Sequence, residues 1–160
     1  MRSLALLTNT LKVAAMVVLV VAVAACARNG TGVGNLGPGG GAPGSQQEFL
    51  VSVGDRVFFE TDSSNLTPTA TATLDKQAAW LNKYGNYRIL IEGHADERGT
   101  REYNLALGQR RANSARDVLV ASGVAGARIT TISYGKDRPA ALGSDESAWA
   151  QNRRAVTVVQ

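Results

Sequence analysis

Residues 92–112, EGHADERGTREYNLALGQRRA, constrain this chain more than any other stretch. A carboxylate loop with Asp96 and Glu97, a turn glycine and a helix start are compressed into one short span. On the helix, Asn104, Leu107 and Arg111 fall at i, i+3 and i+7 and so share one face. Asp96 lies in the loop that feeds this helix, which places its carboxylate opposite the Arg111 guanidinium across a small cleft. A fixed anion facing a fixed cation is a receptor for a zwitterion. The first takes an ammonium, and the second grips a carboxylate as a planar fork. Two plainer readings stand beside this one. Asp96 can cap the turn before Gly99, and Arg111 can be a solvated helix charge or a partner for Glu102 or Asp117. Arg110 falls off the shared face and reads as solvated.

Upstream, residues 1–25 have the layout of a secretory signal. Arg2 and Lys12 supply the positive end, and residues 13–25 form an uninterrupted apolar run. That run is shorter than the roughly 18 residues needed to span a bilayer. It ends in Val23-Ala24-Ala25-Cys26, and Cys26 is the only cysteine. An internal disulfide and a cysteine metal cluster are therefore excluded. The formal charge of +4 includes the leader; without Arg2 and Lys12, 15 basic residues face 13 acidic ones. Such a mild excess lacks the basic stripe of a nucleic-acid-binding protein.

Residues 26–47 are dominated by glycine, with Pro38 and Pro43, and show neither helical nor strand periodicity. They read as a lipidated N-terminus and a disordered tether. A Gly-rich coil of this length averages roughly 25 Å end to end and reaches about 70 Å when taut.

The globular module is expected over residues 48–160. Val51, Val53, Val57, Phe58 and Phe59 suggest a first strand near residues 55–59. Thr67-Pro68 starts a helix to residue 84, with Ala70, Leu74, Ala78 and Leu81 buried. Residues 87–92 alternate as a second strand around Ile89 and Ile91. A helix over residues 101–122 carries Leu105, Gly108, Ala112, Ala115 and Leu119 towards a sheet, and Gly123 stops it. Ile129, Ile132 and Tyr134 mark a third strand, Ser144-Asp145-Glu146 opens a short helix around Trp149, and residues 156–159 form the last strand. The order β-α-β-α-β-α-β predicts an α+β sandwich, a mixed sheet with helices mainly on one face.

These motifs carry a resemblance. EGHADERGT, EYN, LG and RRA, followed by SYGKDRPA and NRRAV, are similar to the OmpA-like peptidoglycan-binding domain family and to its lipoprotein branch, the peptidoglycan-associated lipoproteins. Val-Ala-Ala-Cys resembles the lipobox of bacterial lipoproteins, which implies that Cys26 becomes the acylated first residue of the mature chain. Several acyl chains hold firmly at about 0.8 kcal/mol per buried methylene. Ala27 in place of an aspartate implies sorting to the outer membrane, on its periplasmic face. The resemblance further implies that Asp96 takes the ammonium and Arg111 the carboxylate of meso-diaminopimelate in the peptidoglycan stem peptide. Asn104 and Leu107 are implied to brace the loop and wall the pocket. Asp62 and Ser63 sit where the family presents a second contacting loop. The family usually shows an aromatic two positions after the residue at Phe59, whereas this chain has Thr61. Implied partners are the propeller protein TolB and the other Tol proteins, with a role in outer-membrane constriction at division. TolB binding as the main task, with peptidoglycan second, is the alternative.

An enzyme is the weaker reading. His94 is the only histidine, whereas a catalytic zinc site draws on several nitrogen or sulfur ligands. Glu92 and His94 share a strand face and Asp96 lies beyond the strand's end, so His94 reads as a strand histidine beside the core. No nucleophile elbow, P-loop or dinucleotide fingerprint is present. No cofactor is expected.

Overall fold

The computed structural model describes residues 41–160; the leader, Cys26 and the tether through residue 40 lie outside the described residues. The chain forms α1 (Gln46–Glu48), a π-helical turn (Phe49–Val53), β1 (Arg56–Phe58), α2 (Pro68–Lys83), β2 (Ile89–His94), α3 (Arg101–Ala121), β3 (Ile129–Gly135), α4 (Glu146–Asn152) and β4 (Arg154–Val159). After α1 this is the expected alternation of strands and helices, an α+β fold on a mixed four-stranded sheet. The strand order is β1-β4-β2-β3. β4 runs antiparallel to both β1 and β2, and β3 is parallel to β2.

The helices begin where local chemistry dictates. The Thr67 side chain accepts the Ala70 N–H ahead of Pro68, and Thr100 caps α3 by accepting from Tyr103 N–H. Leu74, Ala78 and Leu81 of α2 and Ala112, Ala115 and Leu119 of α3 close over Ile89, Ile91 and Ala155 of the sheet. The other face, with Leu90, Glu92, Val156 and Val158, stays partly exposed. Helix α3 lies unusually close to β2. A Cβ at Gly93 would fall 1.8 Å from the Gly108 carbonyl oxygen, so side chains are excluded from this crossing.

Three expectations need correction. Val51 and Val53 belong to no strand: Gly54 N–H returns to the Phe49 carbonyl at 2.9 Å, closing a helical turn. The β2 strand runs to His94 because Gly93 and His94 still pair with β3 at a bulge, and β4 starts at Arg154 because Phe58 pairs with it. Fixed structure also begins before Glu48. Ser45 Oγ accepts Glu48 N–H, while Glu48 Oε2 accepts both Gly44 N–H at 2.7 Å and Trp80 Nε1–H at 2.8 Å. The Tyr87 hydroxyl donates to the Gly44 carbonyl at 2.7 Å. Phe49 is fully buried edge-on to Trp80, with ring centroids 5.0 Å apart. This short cap closes one end of the core.

Candidate functional site

The site is assembled at the end of β2, where the chain leaves the sheet through residues 95–100 and enters α3. The loop is held from several directions. Asn104, itself buried, donates from Nδ2 to the Arg98 carbonyl at 2.8 Å. Lys136 Nζ donates to the carbonyls of Glu97 and Gly99. Gly99 has φ +88°, a turn conformation that suits a residue without a side chain.

Asp96 is 7% exposed and receives three kinds of donor. Arg98 Nη2 donates to Oδ2 at 2.6 Å, Arg98 Nε to Oδ1 at 3.1 Å, and the Arg98 backbone N–H to Oδ1 at 3.1 Å. Arg153 Nη1 approaches Oδ2 at 3.4 Å. Burial pushes the carboxyl pKa up, but the hydrogen bonds and charge of Arg98, with the bond from Arg153, outweigh it and hold the group below its ordinary value. Asp96 is therefore an anion at neutral pH.

Arg111 is placed differently from the expectation. It is fully buried, and its nitrogens donate to three backbone carbonyls: Nε to Ser63 at 2.8 Å, Nη1 to His94 at 2.8 Å and Nη2 to Glu60 at 3.0 Å. Its guanidinium lies 5.2 Å from the centre of the Phe59 ring. Among the described residues no hydrogen bond or ion pair joins it to Asp96, and none joins it to Glu102 or Asp117. The reason is depth. The face bearing Asn104, Leu107 and Arg111 turns into the domain, so a cation there satisfies its donors on backbone carbonyls. Burial lowers its pKa to about 10, against the opposing pull of the Asp96 charge, and it stays a cation at neutral pH. Arg110 is exposed beside Tyr103, as its position off that face requires.

Two of the carbonyls that Arg111 holds, those of Glu60 and Ser63, belong to the loop between β1 and α2. Ser63 contributes its carbonyl to Arg111 and its hydroxyl to the Asn65 N–H. Asp62 adopts φ +54°, a left-handed conformation that aspartate tolerates, and its carboxylate accepts the Tyr103 hydroxyl. Between the two loops lies a cleft of about 240 Å³. Thr61, Asp62 and Tyr103 line one part of it, Asp96, Arg98 and Gly99 another, and Asn104 and Leu107 complete the wall. Asp62, Asp96, Asn104 and Leu107 thus line one cleft, while Ser63 and Arg111 lie behind it. Arg98 and Arg153, the two cations that touch Asp96, escape a reading based on helix spacing. The signal for them was the NRRAV run and the charged loop itself.

His94 stands apart from the cleft. It is 1% exposed, both ring nitrogens lack a hydrogen-bond partner among the described residues, and Nε2 is 3.6 Å from Glu92 Oε2. Burial, and then the charges of Arg154 and Arg138, lower its pKa to about 4, so the ring is neutral. Among the described residues no group of histidine, cysteine and carboxylate side chains could hold a metal ion.

The comparison with known proteins rests on the same segment. The model of the OmpA family matches residues 58–153, which run from the last residue of β1 through the cleft to the residue before β4. This chain belongs to the OmpA family. The OmpA-family relatives include the peptidoglycan-associated lipoprotein of Rhizobium meliloti (strain 1021), 60% identical over 148 residues, covering 89% of this chain and 84% of the relative. The protein of that name from Mesorhizobium japonicum is 54% identical over 163 residues, covering 99% of this chain and 96% of the relative. Among solved structures, the peptidoglycan-associated lipoprotein from Burkholderia pseudomallei superposes with a TM-score of 0.65 at 47% identity, over 66% of this chain and 90% of that one. The C-terminal domain of Helicobacter pylori MotB shares the fold at 21% identity, with a TM-score of 0.62 over 66% of this chain and 84% of that one.

Proposed function

We propose that this protein is a non-catalytic anchor that grips peptidoglycan without covalent bonds and ties it to the outer membrane. The observation that carries the reading is Asp96: a carboxylate nine-tenths enclosed, kept ionised, and set in the wall of a cleft of about 240 Å³. A buried anion at the wall of an open cleft selects a cationic group small enough to enter. Relatives named peptidoglycan-associated lipoprotein support peptidoglycan as the polymer that presents it.

In this reading Asp96 takes the ammonium of meso-diaminopimelate in the stem peptide. Arg111 takes the carboxylate through the two N–H groups that it does not spend on carbonyls. This requires a small yielding of the loop that carries Glu60 and Ser63. Asn104 holds the Asp96 loop, Leu107 forms the apolar wall, and Asp62 and Ser63 set the opposite rim. Cys26 carries the lipid, and the Gly-rich segment gives reach from the periplasmic face of the membrane. Within the envelope we infer a part in the Tol system, with TolB as a protein partner and a role in constriction at division.

Co-sedimentation with purified sacculi tests the grip. Wild-type protein pellets with sacculi, and Asp96→Asn, which keeps the shape and removes the charge, stays in the supernatant. Equal pelleting of the two would overturn the assignment of Asp96.

A further inference from the structure

The cleft is not empty of charge in the free protein. The Arg98 guanidinium lies on Asp96 as a fork, with Nη2 and Nε reaching the two carboxylate oxygens at 2.6 and 3.1 Å. Its other contacts reach two further elements. Nη2 donates to Thr61 Oγ1 at 3.3 Å on the opposite loop, and the guanidinium carbon stacks 4.2 Å from the centre of the Trp149 ring on α4. The side chain is 38% exposed, whereas that of Asp96 is 10% exposed. An inner anion is thus covered by an outer cation that bridges the residue 95–100 loop, the Thr61 loop and Trp149.

We propose that Arg98 is a latch that occupies the ammonium position of the ligand and must leave Asp96 before the ligand binds. The proposal rests on the reading that Asp96 receives an ammonium. Chemically, the guanidinium is a stand-in for that ammonium, since it is a cation making charge-assisted hydrogen bonds to the same carboxylate. Without it, Asp96 would keep, among the described residues, only the Arg98 backbone N–H at 3.1 Å and the longer Arg153 contact at 3.4 Å, and would lie poorly paired next to water. Arg98 has somewhere to go, because its stem is solvent-facing and the Trp149 face can hold the guanidinium after the carboxylate bonds break. The loop does not depend on the side chain. The backbone N–H of Arg98 bonds Asp96 and its carbonyl accepts from Asn104 whatever residue stands there. Arg98 therefore trades affinity for a satisfied free state and acts on binding through Asp96.

A soluble muropeptide carrying diaminopimelate, titrated against the domain by calorimetry, separates the possibilities. When the competent state is only fractionally populated, the apparent dissociation constant is raised by that fraction, so Arg98→Ala is expected to bind about five- to tenfold tighter than wild type. Arg98→Lys restores a competing cation and returns the affinity towards wild type. In parallel, muropeptide binding changes the indole emission of wild type as the guanidinium gives up the carboxylate and settles on Trp149, and the change disappears in Trp149→Phe and in Arg98→Ala. If Asp96→Asn abolishes binding while Arg98→Ala binds equally or more weakly, Asp96 is the receptor and the latch is refuted. If Asp96→Asn binds like wild type, the receptor reading itself falls, and the latch with it.

Discussion

Arg111 and His94 are joined by a hydrogen bond of 2.8 Å from the guanidinium Nη1 to the His94 carbonyl, between the middle of α3 and the last residue of β2. The same guanidinium reaches Glu60 and Ser63 on the other loop of the cleft. One buried cation thereby ties the loop of Glu60 and Ser63 to the end of β2, where the loop of Asp96 begins.

Arg111→Ala therefore does more than remove a ligand contact. It orphans three carbonyls and opens a cavity, which should lower stability by about 3 kcal/mol or more. Urea unfolding of the purified domain measures this. A loss below about 1 kcal/mol would mean that the three carbonyls find other donors, since that is the scale of a single ordinary hydrogen bond.

His94 makes stability depend on pH. Its pKa is depressed in the folded state to about 4 from an ordinary value of 6.5. The unfolded chain thus binds more protons between those values. The contribution is fully present above pH 6.5 and is lost as pH falls towards 4, a total of about 3 kcal/mol. Thermal melts between pH 7 and 4.5 should fall for wild type and stay flatter for His94→Leu. Asp96 adds acid sensitivity lower down. Its folded pKa is lowered below the ordinary value of 3.8, so its contribution is present above that value and lost as pH falls below it.

Much of this architecture was legible in the residues, and the failures have physical causes. Thr67-Pro68 announced its helix correctly because caps act locally. Helical spacing put Asn104, Leu107 and Arg111 on one face, but spacing carries no depth. Arg111 therefore lies deeper than its spacing suggests, bonded to three backbone carbonyls behind the cleft. The partners of Asp96 come from its own loop and from Arg153 between α4 and β4, which no periodicity relates. The Ser45-x-x-Glu48 cap was hidden by its glycine-rich surroundings, although serine followed three residues later by glutamate is a helix-start signature.

That cap should matter to the fold. Phe49 fills the end of the core against Trp80. Phe49→Ala is expected to cost about 3–5 kcal/mol, as for other buried aromatics. Denaturant titration of the variant checks it, and a cost near zero would show that the segment rests on the core without contributing to it.

Cys26→Ser should yield a chain that takes up no labelled fatty acid in cells and is lost from the membrane fraction. Labelling that persists in this variant would locate the lipid elsewhere and refute the lipobox.

The most direct test of the central claim is an NMR titration of the domain with a soluble muropeptide containing diaminopimelate. The account predicts shift changes gathered at Thr61, Asp62, Asp96, Arg98 and Asn104, and their absence in Asp96→Asn. Changes confined to the opposite sheet face around Leu50, Val156 and Val158, unaffected by that substitution, would contradict it.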